Sequence, residues 1–233
     1  MIGYYGYTVW LTYLSAISAA VGIVASLSGP GHPDVGLLCL LVCGLCDAFD
    51  GQVARRKKDR TDMEKAFGIQ IDSLSDLVAF GVLPVCIGIA LRKRVLFAML
   101  EDAAYPGGII ARLPFPVLAA VGAIYVLAAL IRLAYFNVTE EERQKTEGGT
   151  RKYYTGLPVT SAALIFPTFL LIRKVVPVDI SFVYYILLLA VAAAFLGKFR
   201  LKKPHMKTIL IFVAIGAVEF VLIMLARVLL RRG

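Results

Sequence analysis

An all-α, polytopic membrane bundle is the fold class that the sequence predicts, with six core helices and a seventh at the C-terminus. Three observations predict it. Of the 233 residues 59% are hydrophobic, and the mean hydropathy of +0.79 is far above that of an ordinary soluble domain. The apolar residues are spread evenly along the chain rather than gathered in one anchor, so residues 1–233 read as a single integral membrane domain. The charged residues fall mostly in the short intervals between apolar segments.

The first apolar segment covers residues 8–28. Because it lacks a basic start and a small-residue cleavage site, it reads as a retained helix rather than a removed signal. Gly29, Pro30, Gly31, His32 and Pro33 supply a turn. Further segments follow near residues 34–51, 67–91, 114–137, 157–173, 178–196 and 207–229. The polar interval Thr139 to Thr155 reads either as a solvated connector or as a basic lid carrying Arg151 and Lys152, with Gly148 and Gly149 as its hinge. Glu219, a lone acid in the last segment, is a candidate interhelix contact. Cys43 and Cys46 have C-x-x-C spacing but sit in an apolar helix without a second pair or a nearby His, so they read as buried cysteines, as do Cys39 and Cys86.

The net charge is +9. If residues 51–66 face the cytoplasm, fifteen Lys and Arg lie on that side and nine on the other, a moderate positive-inside bias. Loops beside anionic headgroups account for such a charge. No nucleic-acid-binding motif accompanies it.

The chemistry concentrates between Asp47 and Asp76. From Asp34 to Asp47 a helix rises only about 20 Å, short of the roughly 30 Å hydrocarbon core, so the helix must continue through its acids. Asp72 and Asp76 at the start of the next segment are drawn below the membrane surface by the same argument. Asp47 and Asp50 are three apart, and Asp72 and Asp76 four apart, so each helix can project its pair from one face and the two faces make a tetracarboxylate pocket. Ionised carboxylates at depth need a counter-charge, and all-oxygen ligation selects a hard divalent ion: Mg²⁺, Mn²⁺ or Ca²⁺. Gly51, Ala54 and Gly68 leave backbone open to a ligand, and Arg55 adds a fixed cation, a mixture suited to phosphate.

Asp47, Asp50, Gly51, Ala54, Arg55, Gly68, Asp72 and Asp76 together resemble the D-x-x-D-G-x-x-A-R…G-x-x-x-D-x-x-x-D signature of the CDP-alcohol phosphotransferases, with all eight positions present. One spacing departs: twelve residues separate Arg55 from Gly68, against a usual linker of about eight, and the additional ones are mostly charged. Within that superfamily Ile71 to Pro84 (IDSLSDLVAFGVLP) resembles the phosphatidylserine synthases. Leu130 to Val138 and Tyr153 to Val159 resemble further elements of the same synthases, although Tyr135 stands where an Arg is common.

The resemblance implies transfer of the phosphatidyl group of CDP-diacylglycerol to L-serine by a homodimer among membrane lipids, with the active site facing the cytoplasm. It implies that Asp47, Asp50 and Asp72 bind Mg²⁺ or Mn²⁺, and that Asp47, Gly51, Ala54, Arg55, Gly68 and Asp72 form the CDP site. Asp76 is then the general base and a further metal ligand. Arg132, costly in an apolar helix unless it meets an anion, is an expected acceptor or phosphate contact together with Asn137 and Arg151. Ser73 and Ser75 flank the acids, and the simpler reading has their hydroxyls bonding their own helix backbone. The alternatives are a sister enzyme using glycerol phosphate, inositol phosphate or another alcohol, a cation transporter, and an inactive membrane scaffold. His205-Met-Lys207 begins like the H-x-K of phospholipase-D-type synthases but lacks the downstream Asp and a second copy, which disfavours that covalent mechanism.

Overall fold

The computed structural model describes residues 2–57, 59–102, 105, 107–146, 153–176, 180–202 and 206–229. They form helices α1 (Trp10–Leu27), α2 (Pro33–Arg56), α3 (Asp62–Asp76), α4 (Leu83–Glu101), α5 (Ile109–Arg112), α6 (Phe115–Thr146), α7 (Ala162–Val175), α8 (Val183–Leu196) and α9 (Met206–Leu229). Four helical stretches are long and apolar enough to cross a membrane: Tyr7–Leu27, Pro33–Arg56, Asp62–Glu101 and Phe115–Arg143. Three shorter apolar helices, Val159–Arg173, Val183–Leu196 and Leu210–Leu225, accompany them. Large apolar side chains such as Leu14, Ile17 and Val21 on α1 and Ile211, Val218 and Leu222 on α9 point outward, which suits a lipid rather than an aqueous surround.

Two segments run further than the apolar pattern predicts. The expected segment 67–91 is part of a continuous helical stretch, Asp62–Glu101, and the expected 114–137 extends to Thr146. Charged side chains carry both extensions. At one end Arg143 pairs with Glu140 across 2.6 Å, an i,i+3 pair that a helix supports. At the other, Lys93 Nζ donates to the Leu27 carbonyl at 2.6 Å and Arg94 pairs with Asp34 at 3.2 Å. Much of the polar interval expected as connector or lid is therefore helix α6, and Arg151 and Lys152 lie outside the described residues.

Close approach of backbones sets the packing of α1, α2 and α4. A Cβ on Gly22 would stand 2.8 Å from Cys39 Cβ, and one on Gly36 2.7 Å from Ile87 Cγ1, so small residues let the helices meet. All four cysteines are free, and the Cys43 thiol donates to the Ser15 carbonyl. Glu219 on α9 accepts from the Thr168 hydroxyl on α7, so the lone acid of the last helix does face protein.

Between α3 and α4 the chain passes through a π-helical segment, Leu77–Val82. An α-helical bond to the Phe80 carbonyl would have to come from residue 84, which is proline and has no N–H. Tyr125 on α6 supplies the donor instead, its hydroxyl 2.8 Å from Phe80 O, and Tyr184 on α8 bonds the Pro84 carbonyl at 2.8 Å. These two tyrosines, Phe166 and Phe195 form the buried aromatic centre, with Tyr125 and Phe166 ring centroids 5.8 Å apart. Alongside the helices, Tyr153–Thr155 (β1) and Arg200–Lys202 (β2) pair antiparallel, with Thr155 opposite Arg200. This two-stranded ladder is too short for periodicity to signal it.

Tyr125→Phe keeps the ring and removes the hydroxyl that donates to the Phe80 carbonyl. The expected cost is about 1–3 kcal/mol, read as a lower thermal midpoint in detergent. An unchanged midpoint would show that the bond contributes nothing to stability.

Candidate active site

The site lies where the C-terminal half of α2 faces α3. Helix α3 begins with a capping box: the Glu64 N–H donates to Thr61 Oγ1 at 3.1 Å, and Thr61 N–H donates to Glu64 Oε2 at 2.9 Å. The T-x-x-E pattern that announces it is legible in the sequence. Lys57 beyond the end of α2 pairs with the same Glu64 at 3.0 Å, tying the linker to the first turn of α3.

From these helices Asp47, Asp50 and Asp72 each offer a carboxylate oxygen, and the three oxygens lie within 4.8 Å of one another. Asp50 also accepts from the Gly51 N–H. Anions come this close only when a proton or a cation offsets their repulsion. Three hard oxygen donors in one small space are what Mg²⁺ or Mn²⁺ requires, so the residues present fit a divalent cation. Asp76 stands outside this trio. It lies one turn beyond Asp72 on α3, only 8% exposed, so the expected four-carboxylate cluster resolves into three grouped acids and one deeper acid.

The small residues behave as their type predicts. The Arg55 guanidinium covers Gly51, where a Cβ would meet Arg55 Nη1 at 3.4 Å. Gly68 is covered by Arg60, a linker residue that sequence reasoning did not single out; a Cβ on Gly68 would lie 2.6 Å from Arg60 Nη2. Arg60 also donates to the carbonyls of Ala54 at 3.5 Å and Glu64 at 3.1 Å.

The residues flanking the acids hold α3 in place. Ser75 donates to the Thr12 carbonyl of α1 at 3.2 Å, and Asn137 of α6 donates to Ser73 Oγ at 2.7 Å. The expectation that both serines bond their own backbone is corrected: they join α3 to two neighbouring helices. Arg132, 6% exposed, donates to the carbonyls of Leu157 at 3.0 Å and Gly156 at 3.4 Å. Gly156 adopts φ +75° and packs against the end of α8, so Arg132 fastens α6 to that turn. Arg151 lies outside the described residues.

The site is thus a two-helix carboxylate cluster flanked by glycines and a guanidinium inside a membrane bundle. The family model for CDP-alcohol phosphatidyltransferase matches residues 8–196, and the chain belongs to that family. It is an integral membrane protein. It is 31% identical over 172 residues to the CDP-diacylglycerol–serine O-phosphatidyltransferase of Saccharomyces cerevisiae, a match covering 71% of this chain and 54% of the relative. It is 32% identical over 161 residues to the archaetidylserine synthase of Methanothermobacter thermautotrophicus, covering 69% and 56%. With the CDP-diacylglycerol–serine O-phosphatidyltransferase of Helicobacter pylori it shares 30% identity over 152 residues, covering 65% and 52%. The chain thus spans about half the length of these relatives. No solved structure matches it.

If the three grouped acids form a cation site, Asp50→Ala weakens Mn²⁺ binding to the purified protein by about tenfold or more, measured from the spectrum of free Mn²⁺ in solution. Binding equal to that of the wild type would take Asp50 out of the ligand set.

Proposed function

We propose that this protein transfers the phosphatidyl group of CDP-diacylglycerol to the hydroxyl of L-serine, giving phosphatidylserine and CMP. The observation that carries the reading is the division of the acids. Asp47, Asp50 and Asp72 are grouped, while Asp76 lies buried one turn further along the same helix. The names of the relatives support serine as the acceptor.

In the proposed reaction Asp76 accepts the proton of the serine hydroxyl. The serine oxygen forms a bond to the β-phosphorus, and the bond from that phosphorus to the bridging oxygen breaks. CMP departs with the electron pair. Asp47, Asp50 and Asp72 would hold Mg²⁺ or Mn²⁺, with Asp76 a further ligand, and the ion when bound neutralises charge on the diphosphate. Gly51, Ala54 and Gly68, together with Asp47 and Asp72, give the cytidine diphosphate an open approach, and Arg55 meets its phosphate oxygens. Asn137, bonded to Ser73 beside Asp72, is a proposed acceptor contact, as is Arg151. Arg132 positions the Gly156–Leu157 turn and through it the acceptor side of the site. The larger share of Lys and Arg near the α2–α3 linker supports a site that faces the cytoplasm, and we extend the proposal to a homodimer, as the family resemblance implies.

A second reading concerns only the lipid. One of the relatives is named archaetidylserine synthase, so an ether-lipid CDP donor is the alternative substrate for the same chemistry.

The test is CMP release by the purified protein with CDP-diacylglycerol, or its ether-lipid counterpart, and Mg²⁺ or Mn²⁺. L-serine is compared with glycerol 3-phosphate, inositol 3-phosphate and inositol. Release selective for serine is expected. Release with another acceptor moves the chain to a sister activity, and none with any acceptor returns the transporter and scaffold readings.

Asp76→Asn is expected to lower turnover about a hundredfold or more while CDP-diacylglycerol binding stays close to wild type. Turnover close to wild type would remove Asp76 as the base.

A further inference from the structure

The two signature glycines, one on each helix of the site, are each covered by an arginine: Arg55 over Gly51 and Arg60 over Gly68. Arg55 belongs to the family signature. Arg60 does not, because it comes from the linker that is longer here than the family's usual one.

The extra length is about four residues, close to one helical turn. Helix α3 starts at Asp62, six residues before Gly68, and its capping box and the Lys57–Glu64 pair fix the added turn. The consequence is local: the chain doubles back and Arg60 reaches across Gly68 to the Ala54 carbonyl at the end of α2.

The partners of Arg60 do not match its charge. Both of its acceptors are neutral carbonyls, and among the described residues no carboxylate lies within ion-pair distance of it. Its Nε is buried with no partner among them. A guanidinium carries five N–H donors and its strongest partners are planar oxyanions, so one held by two carbonyls over a signature glycine gains most from a phosphate. A neutral strut would need no guanidinium.

We propose that Arg60 is a second diphosphate-binding residue, exchanging its carbonyl partners for phosphate oxygens of the CDP-lipid donor. Arg55 over Gly51 and Arg60 over Gly68 would then each offer a guanidinium to the diphosphate. The inference rests on the CDP-linked donor of the proposed function but not on the identity of the acceptor.

The experiment measures equilibrium binding of CDP-diacylglycerol, CMP and cytidine to the purified full chain. Wild type, Arg60→Gln and Arg60→Lys are compared, with KM for the donor and for L-serine measured in parallel. Arg60→Gln is expected to weaken donor and CMP binding by about tenfold or more and to raise donor KM by a similar factor. Binding of cytidine, which has no phosphate, stays within about twofold, as does KM for L-serine, and Arg60→Lys recovers part of the loss. If Arg60→Gln lowers the thermal midpoint and turnover while donor and CMP binding stay at wild-type strength, Arg60 is a strut and the proposal falls. Weakened donor binding in a protein that ignores serine but uses another acceptor overturns only the serine reading. A wild type that binds no cytidine nucleotide overturns both.

Discussion

Like charges held together at depth are the constraint on which the rest of this structure depends. Asp47, Asp50 and Asp72 bring carboxylate oxygens within 4.8 Å of one another on helices that cross a membrane. Repulsion at that distance in a medium of low dielectric would push α2 and α3 apart, so two things must offset it: a counter-charge and a rigid frame. The frame is visible in the neighbours of α3. Ser75 fastens it to α1, Asn137 fastens Ser73 to α6, and the capping box with Lys57 closes its first turn against the linker. Each bond engages α3 within about three turns of Asp72, where a small rotation would scatter the cluster.

The backbone beyond Asp76 follows from the same demand. Pro84 removes the N–H that would have satisfied the Phe80 carbonyl, and the segment between Asp76 and Leu83 is π-helical. A π segment adds a residue to a turn and re-aims the helix on either side of it. Tyr125 and Tyr184 hold the irregularity in place from α6 and α8, and both are fully buried. The aromatic centre thus does more than fill space: its hydroxyl groups bond one carbonyl inside the irregularity, Phe80, and one just after it, Pro84.

How much of this was legible in the sequence depends on the kind of signal. The apolar segments were legible because a membrane asks for a length of hydrophobic residues and little else. The grouping of Asp47, Asp50 and Asp72 was legible because three- and four-residue spacings put side chains on one face. The full reach of Asp62–Glu101 and Phe115–Thr146 was hidden, since hydropathy ends where charge begins, and only i,i+3 pairs such as Glu140–Arg143 reveal that the helix goes on. The ladder of Tyr153–Thr155 with Arg200–Lys202 joins residues far apart in sequence, and three-residue strands show no period. Spacing along a helix carries no information about which oxygens meet across the gap, so the grouping of Asp47, Asp50 and Asp72 apart from Asp76 could not be read from it alone. The partners of Arg132 were missed for a related reason: the Gly156 and Leu157 carbonyls are exposed as acceptors only by a turn with φ +75°.

The site divides its two tasks between different parts of the chain. In the proposed reaction the residues given to the donor lie in one stretch: the three grouped acids, the two covered glycines and both guanidiniums. From outside that stretch α6 approaches α3 through Asn137 on Ser73 and holds the Gly156–Leu157 turn through Arg132, the two contacts that the proposed reaction gives to the acceptor side. These contacts come from residues remote in sequence from the linker between α2 and α3. On the proposed reading, what that linker brings to the donor is Arg60, held at the Ala54 and Glu64 carbonyls.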